Sequence, residues 1–444
     1  YGEPQSGKTE LMICLTKKLR DLGKQHIVIV MNDNVKLKEQ SLKRFQSAGI
    51  DPAPKDEQDL VNQDINIKKN AFVVICKKNK NDLEKLINKI GAVKDLILID
   101  DEADFATPNS KINKKNDAQS KINELIEKCV KNNGTWIGVT ATPGRLDLNN
   151  TLSNEAQRWV HFKSHKKYIG RTFFFPRKEV RLNKGKKERF LNIKYELTQL
   201  KDSGSVEPRH LRQALFRYMI NAADLNLKET FEGRNVRNYS MIVHTGGTAE
   251  AHEKDKNIIE KVFKSLREKD STAKIYLREI ADLAGKKYED QKATEIIRYI
   301  HSHCEQYQSV VMNSKKDMKS NSFDAGLEPR VTFTVIFGGN IISRGLTFVD
   351  LISMYFARDA KRFTIDTYVQ RARMFGDRGN FAERFNLTIP SGLYASWWDA
   401  FDNHHKSLMT VNKMDRPLWI SDSKTRATSP ASIDKVHVEK AKGE

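Results

Sequence analysis

Only four cysteines occur in 444 residues, Cys14, Cys76, Cys129 and Cys304, and no two of them form a C-x-x-C pair. That spacing excludes a disulfide framework and points to structural thiols in a reducing cytosol. No apolar run is long enough to span a bilayer and no signal peptide is visible, so no membrane partner is expected. Acidic residues are few beside basic ones: 57 Asp and Glu face 77 Lys and Arg, a net charge of +20. Such an excess marks either a polyanion partner, most often nucleic acid, or plain solvation of a Lys- and Asn-rich chain, and charge alone weighs the two evenly. An initiator Met is also absent, and the strand that should precede the first motif is missing, so the chain looks like a piece of a longer protein. The length suits two to three domains, and a hydrophobic share of 39% with 30% charged residues suits ordinary cores under a well-solvated surface.

What is present begins at once. Gly2-Glu3-Pro4-Gln5-Ser6-Gly7-Lys8-Thr9 fits G-x-x-x-x-G-K-[ST], the phosphate-binding P-loop. Its glycines let backbone N–H groups turn inward on phosphate oxygens. Lys8 supplies charge for the β- and γ-phosphates of ATP, and Thr9 a hydroxyl for Mg²⁺. Gly2, Gln5, Ser6 and Gly7 complete the cradle. Such a loop must open a helix, whose N-terminal dipole holds the anion. Leu11, Leu15, Leu19 and Leu22 share one helical face behind it, and Gly23 stops the helix.

Ile27 to Val30, Ala71 to Cys76 and Leu96 to Ile99 read as buried parallel strands, with helices at 36–45 and 81–90 between them. The last strand delivers Asp100-Asp101-Glu102-Ala103-Asp104 at its carboxyl end, the Walker B pattern. Asp101 there orders the Mg²⁺ shell and Glu102 activates water for in-line attack on the γ-phosphate. After a helix at 120–131, a further strand runs into Thr140-Ala141-Thr142-Pro143, whose hydroxyls can couple the nucleotide site to a second domain. Residues 146–238 are rich in Lys and Arg, carry Phe173-Phe174-Phe175 and a helix from about 208 to 221, and read as a basic insert offering a partner surface or a solvated excursion. A second α/β pattern fills 239–400, with strands at 240–245, 309–314, 331–337 and 351–356 and helices at 249–268 and 291–305. Residues 401–444 form an extension that frays from about 422.

The order P-loop, D-E-A-D, T-A-T-P, Ser343-Arg344-Gly345-Leu346-Thr347 and Gln370-Arg371-Ala372-Arg373-x-x-Gly376-x-Arg378 resembles superfamily-2 helicases and translocases. The resemblance implies an α/β fold of two RecA-like P-loop lobes, residues 1–145 and 239–400, with the basic insert between them. It places Arg344 and Gly345 in the fifth motif, at the nucleotide. Gln370, Arg373 and Arg378 fall in the sixth, where guanidinium groups meet the charge that develops on the γ-phosphate. A finer resemblance, over most of 140–410, is to the Z1-domain family. It is carried by Leu37-x-Glu39-Gln40, Tyr168-Ile169-Gly170, Ser240 to His244, Asn313-Ser314, Gly338-Gly339-Asn340-x-x-Ser343 to Thr347, and Gln370 to Gly376. Asp377 stands where that family usually has an aromatic. The resemblance implies an ATPase subunit of a restriction or anti-phage system that acts on nucleic acid, double-stranded DNA favoured, beside a separate nuclease. It also brings two alternatives: an endonuclease in its own right, and an ATP-gated switch that never moves along DNA.

Nuclease chemistry of this chain's own would need clustered carboxylates and a lysine. Asp290-Gln291-Lys292, with Asp282 or Asp270, fits only by force in so charged a chain. His301-Ser302-His303-Cys304 lacks a second ligand pair at a zinc spacing and reads as a helix face, and His404-His405 as surface. Trp397-Trp398 reads as core in preference to a base-stacking platform.

Overall fold

The structure, a computed structural model, describes residues 1–63, 66–67, 69–91, 93–114, 118–152, 158–180, 188–201, 208–312, 327–339, 346–358, 363–411, 417–422 and 425–441. The chain forms two compact units. One comprises residues 1–165, 362–370 and 402–444, the other residues 166–361 and 371–401.

The first unit is built on a parallel five-stranded sheet. Its strands are β1 (His26–Met31), β2 (Lys55–Asp56), β3 (Phe72–Lys77), β4 (Ile97–Asp101) and β5 (Thr135–Val139), in the order β2-β3-β1-β4-β5. A parallel strand covered on both faces must be apolar throughout, and Ile27 to Val30 are completely buried. Alternate residues feed two cores. Ile27, Ile29, Ile75 and Ile99 pack with Met12 and Ile13 of α1 (Lys8–Asp21) and Phe45 of α2 (Val35–Ser47). Val28, Val30, Val74 and Leu98 pack with Leu60 of α3 (Glu57–Asn62), Leu83 and Leu86 of α4 (Lys80–Ile90), and Leu125 and Ile126 of α5 (Lys121–Val130). Asn34 and Asn79 cap α2 and α4 by accepting from Leu37 N at 3.2 Å and Asp82 N at 2.9 Å. The leucine face expected of α1 is displaced. Met12, Ile13 and Thr16 are its buried residues, Leu15 and Leu19 only flank the core, and Leu22 is exposed.

The extension is also unlike the expectation. In place of fraying, its described residues close over α6 (Pro143–Leu148). Residues 363–364 and 425–426 pair as short parallel strands, and Thr428 Oγ1 donates to Asp366 at 2.9 Å. Asn149 donates to Ser432 O at 2.7 Å, and Asp434 N donates to Leu148 O at 2.7 Å. The Trp419 ring lies flat against Gly144, and its Nε1 donates to Asp147 Oδ2 at 2.6 Å. Polar composition suggested fraying, but backbone hydrogen bonding holds the segment. His404, expected at the surface, is buried here.

The second unit has a parallel six-stranded sheet. Its strands are β6 (Glu196–Leu200), β7 (Tyr239–His244), β8 (Tyr307–Met312), β9 (Phe333–Gly338), β10 (Leu351–Phe356) and β11 (Asn386–Pro390), ordered β8-β9-β7-β10-β11-β6. The helices α7 (Pro208–Phe231) and α8 (Ala249–Glu268) pack on it and bury Leu215, Met219, Ile259 and Phe263, while α9 (Ser271–Gly285) and α10 (Asp290–His303) pack on those helices and bury Ile280 and Ile296 in the same core. The expected insert contributes core elements: β6 is an edge strand of this sheet, and α7 has thirteen buried residues. Phe174 and Phe175 are buried with Phe375, Trp397 and Phe401 instead of forming a partner surface, and Trp397 is fully enclosed. No helix among the described residues is long and apolar enough to cross a membrane.

A Cβ added at Gly144 would lie 2.6 Å from Trp419 Cε3. Gly144→Ala should destabilise the seat of the extension by about 1–3 kcal/mol. Limited proteolysis should then cut residues 417–441 faster than in the wild type, and adding Trp419→Ala should abolish the difference between Gly and Ala at 144.

Candidate nucleotide site

The P-loop opens α1 as the motif requires. Gly7 takes φ +90°, a conformation that disfavours any side chain, and no side chain caps the helix N-terminus. Gln5 also has positive φ, at 55°. Gly2 is buried; its N–H donates to Thr140 O at 3.0 Å, which sets the loop beside the end of β5. Ser6 is buried and its hydroxyl makes no hydrogen bond. Lys8 Nζ donates to Glu3 O at 2.8 Å, and Thr9, next along α1, is half-buried. Burial holds the Lys8 ammonium below its ordinary value, against the carboxylates of Asp101, Glu102, Glu3 and Asp104, which act the other way.

The acidic turn at the end of β4 supplies those carboxylates. Burial, and then the charge of Glu102, push Asp101 up to about 7, with Lys78 and Lys8 opposing. Glu102 has φ 45°, and its carboxylate accepts from the Asn32 side-chain amide. Asp104 is completely buried. It accepts from Thr140 Oγ1 at 2.7 Å and from the Gln370 amide; Gln370 also donates to Thr142 Oγ1 at 3.3 Å, and Thr142 N donates to Thr140 Oγ1 at 2.9 Å. The first unit thus joins D-E-A-D, T-A-T-P and Gln370 in one hydrogen-bonded network.

Lys78 was not singled out by the sequence. It is fully buried, its ammonium lies 2.6 Å from Asp100 Oδ1, and it donates to the carbonyls of Asp101, Glu102 and Phe105 at 2.9, 3.1 and 3.0 Å. Thr107 Oγ1 and Trp136 Nε1 donate to the other Asp100 oxygen at 2.7 and 3.2 Å. A lysine directly after an apolar strand was the one available signal. Asn32, the first residue past β1, gave a comparable one.

The donors suit a Mg–triphosphate. The helix N-terminus carries no side-chain cap, the buried Ser6 hydroxyl in the loop before it has no partner, and Asp101 with Thr9 offers the hard oxygens that Mg²⁺ takes alongside phosphate. Among the described residues no group of three or more His, Cys, Asp or Glu could hold a metal by itself.

The sixth-motif arginines lie in the second unit. Arg373 is buried and donates to Leu346 O at 3.1 Å. Arg378 is 3% exposed, and burial lowers it to about 10. Its guanidinium donates to Met374 O at 3.0 Å, Phe375 O at 2.9 Å and Arg373 O. The guanidinium of Arg378, the residue expected as a finger, here holds its own loop through these carbonyls. Arg344 and Gly345 of the fifth motif lie outside the described residues, as do Asn313, Ser314 and Asn340. The nuclease alternative gains nothing from Lys292, which pairs with Asp224 at 2.5 Å, or from His303, which stacks on Tyr299.

Two α/β units, the first with an assembled P-loop and Walker B site, define a helicase-like P-loop ATPase. Residues 4–161 match the SWI2/SNF2 ATPase family, and residues 210–429 match the Z1 domain family. No curated protein matches the chain by sequence. Among solved structures it is similar to Saccharomyces cerevisiae Dbp5 bound to RNA and ADP BeF3 (11% identity, 93% of this chain and 88% of that one, TM-score 0.45). It is also similar to the ATP-dependent Type ISP restriction-modification enzyme LlaBIII bound to DNA (11% identity, 96% and 29%, TM-score 0.43). A third is the Mycobacterium smegmatis helicase Lhr bound to ssDNA and AMP-PNP (10% identity, 92% and 46%, TM-score 0.43).

Two outcomes test the site's construction. Lys78→Ala leaves the Asp100 carboxylate buried without its cation and should cost about 3–5 kcal/mol in urea unfolding, whereas Lys78→Met with Asp100→Leu should cost far less. Asp101 has a folded-state value raised from the ordinary carboxylate range to about 7, so it destabilises the protein progressively as pH rises between those two values and in full above pH 7. Asp101→Asn should therefore raise the Tm by roughly 2–5 °C at pH 8, by less at pH 5.5, and leave it unchanged below the ordinary carboxylate range.

Proposed function

We propose that the chain is an ATP-driven, helicase-like motor or switch that acts on nucleic acid, double-stranded DNA favoured, in a restriction or anti-phage system whose cleavage resides in a partner nuclease. The observation that carries this is the convergence of Lys8, Asp101 and Glu102, with Asp104 tying the same turn to Thr140, Thr142 and Gln370. Lys8 and the α1 N-terminus bind the triphosphate; Thr9 and Asp101 would hold Mg²⁺. That ion supplies charge neutralisation on the phosphate oxygens when bound.

Glu102 takes the proton of the attacking water as the water oxygen bonds to the γ-phosphorus and the bond to the β–γ bridging oxygen breaks, leaving ADP and inorganic phosphate. Thr142 and Gln370 sit where a change at that phosphate would reach the Asp104 network. Arg373, by its place in the Z1-like sixth motif, is the proposed transition-state arginine. The net charge of +20 suits a polyanion partner. Four free thiols suit a reducing cytoplasm.

ATP turnover measured with and without duplex DNA, with the DNA followed on a gel, tests this reading. DNA-stimulated turnover with intact DNA is expected. Lys8→Ala should abolish it, and Glu102→Gln should retain bound ATP and hydrolyse it only at a small residual rate. DNA cleavage by Lys8→Ala without ATP would overturn the reading in favour of an endonuclease.

A further inference from the structure

β1 lies between β3 and β4, so the residue that follows it emerges at the same sheet end as the D-E-A-D turn. That residue is Asn32. Its Nδ2 donates to Glu102 Oε2, while its Oδ1 is buried and makes no hydrogen bond. The orientation of the amide is forced. Turned over, it would aim a carbonyl lone pair at a carboxylate oxygen. A buried amide oxygen without a donor is unfavourable, so it calls for a ligand that donates.

We propose that Asn32 is the positioning residue for the hydrolytic water. The inference rests on the ATPase reading above. The water donates one hydrogen to Asn32 Oδ1 and the other to Glu102, so its lone pair is left facing the phosphate. The Asn32 amide N–H meanwhile fixes which Glu102 oxygen is free to take the proton. A side-chain amide can do this because it donates and accepts from one rigid plane; a carboxylate in its place would repel Glu102, and an alanine would leave the water one partner short. The backbone agrees. Glu102 is held at φ 45°, a left-handed conformation uncommon for glutamate, by the Lys78 hydrogen bonds to the Asp101, Glu102 and Phe105 carbonyls. Lys78 thus aims the turn, and Asn32 aims the side chain that the turn presents.

The test compares wild type, Asn32→Ala, Asn32→Asp, Glu102→Gln and the double variant Asn32→Ala/Glu102→Gln. Each is assayed for binding of a fluorescent ATP analogue, for Tm, and for steady-state ATP turnover. Asn32→Ala should lower kcat by about 10–100-fold with KM within threefold of wild type and analogue binding intact. Asn32→Asp, which preserves shape, should be at least as slow. In the Glu102→Gln background Asn32→Ala should have almost no further effect, because both act on one water. Unchanged kcat in Asn32→Ala, loss of analogue binding or Tm in step with turnover, or full additivity with Glu102→Gln would each overturn the inference while leaving the ATPase reading standing. Wild-type protein that binds the analogue and never hydrolyses ATP would overturn the ATPase reading itself.

Discussion

The nucleotide site depends on one buried ion pair. Lys78 and Asp100 are both fully enclosed, and neither is where phosphate would bind. Their work is upstream of it. Asp100 ends the apolar part of β4 with a charge that the interior tolerates only with Lys78 beside it and with Thr107 and Trp136 on its other oxygen. The same ammonium draws in three consecutive-turn carbonyls, which bends the chain sharply after β4 and places Asp101 and Glu102 at the sheet end. A buried ion pair is poor evidence for stability but good evidence for a fixed geometry, and here the geometry fixed is that of the two carboxylates.

The same economy of means recurs at Asp104. Its two oxygens take Thr140 and Gln370, so two segments far apart in sequence are registered against one side chain. Thr142 is held in turn by Thr140 through its backbone N–H. The extension strengthens this side of the first unit, since Thr428 reaches Asp366, four residues before Gln370. A segment with little apolar content can be ordered in this way because its backbone groups and its polar side chains both find partners.

Much of this was legible in the sequence. Parallel strands such as Ile27 to Val30 advertise themselves as unbroken apolar runs, and the phosphate loop and acidic turn are short motifs whose chemistry is local. The fold class follows from the alternation of those runs with helices. What escaped is what depends on distant contacts. Lys78 looks like any lysine after a strand until Asp100 is seen beside it. The edge strand at 196–200 and the helix at 208–231 sit in a basic stretch, so charge masked their core faces. Leu22 fell on the expected face of α1 but follows its last residue, Asp21, and is exposed.

The sixth motif shows why a motif match assigns a position before it assigns a role. Arg373 and Arg378 stand at matching spacings, yet Arg378 donates to the carbonyls of Arg373, Met374 and Phe375 and lies over the Phe385 ring. Its guanidinium is the framework on which the Arg373 backbone is hung. Asp377 is exposed and accepts from Gly379 N at 2.9 Å, closing the turn at a glycine with φ 49°. Its charge therefore faces solvent and a turn. Arg373 touches the Leu346 carbonyl, immediately after the fifth-motif glycine in sequence. Arg373 thus joins its own loop to Leu346 within the second unit, and Arg378 holds that loop through its carbonyls.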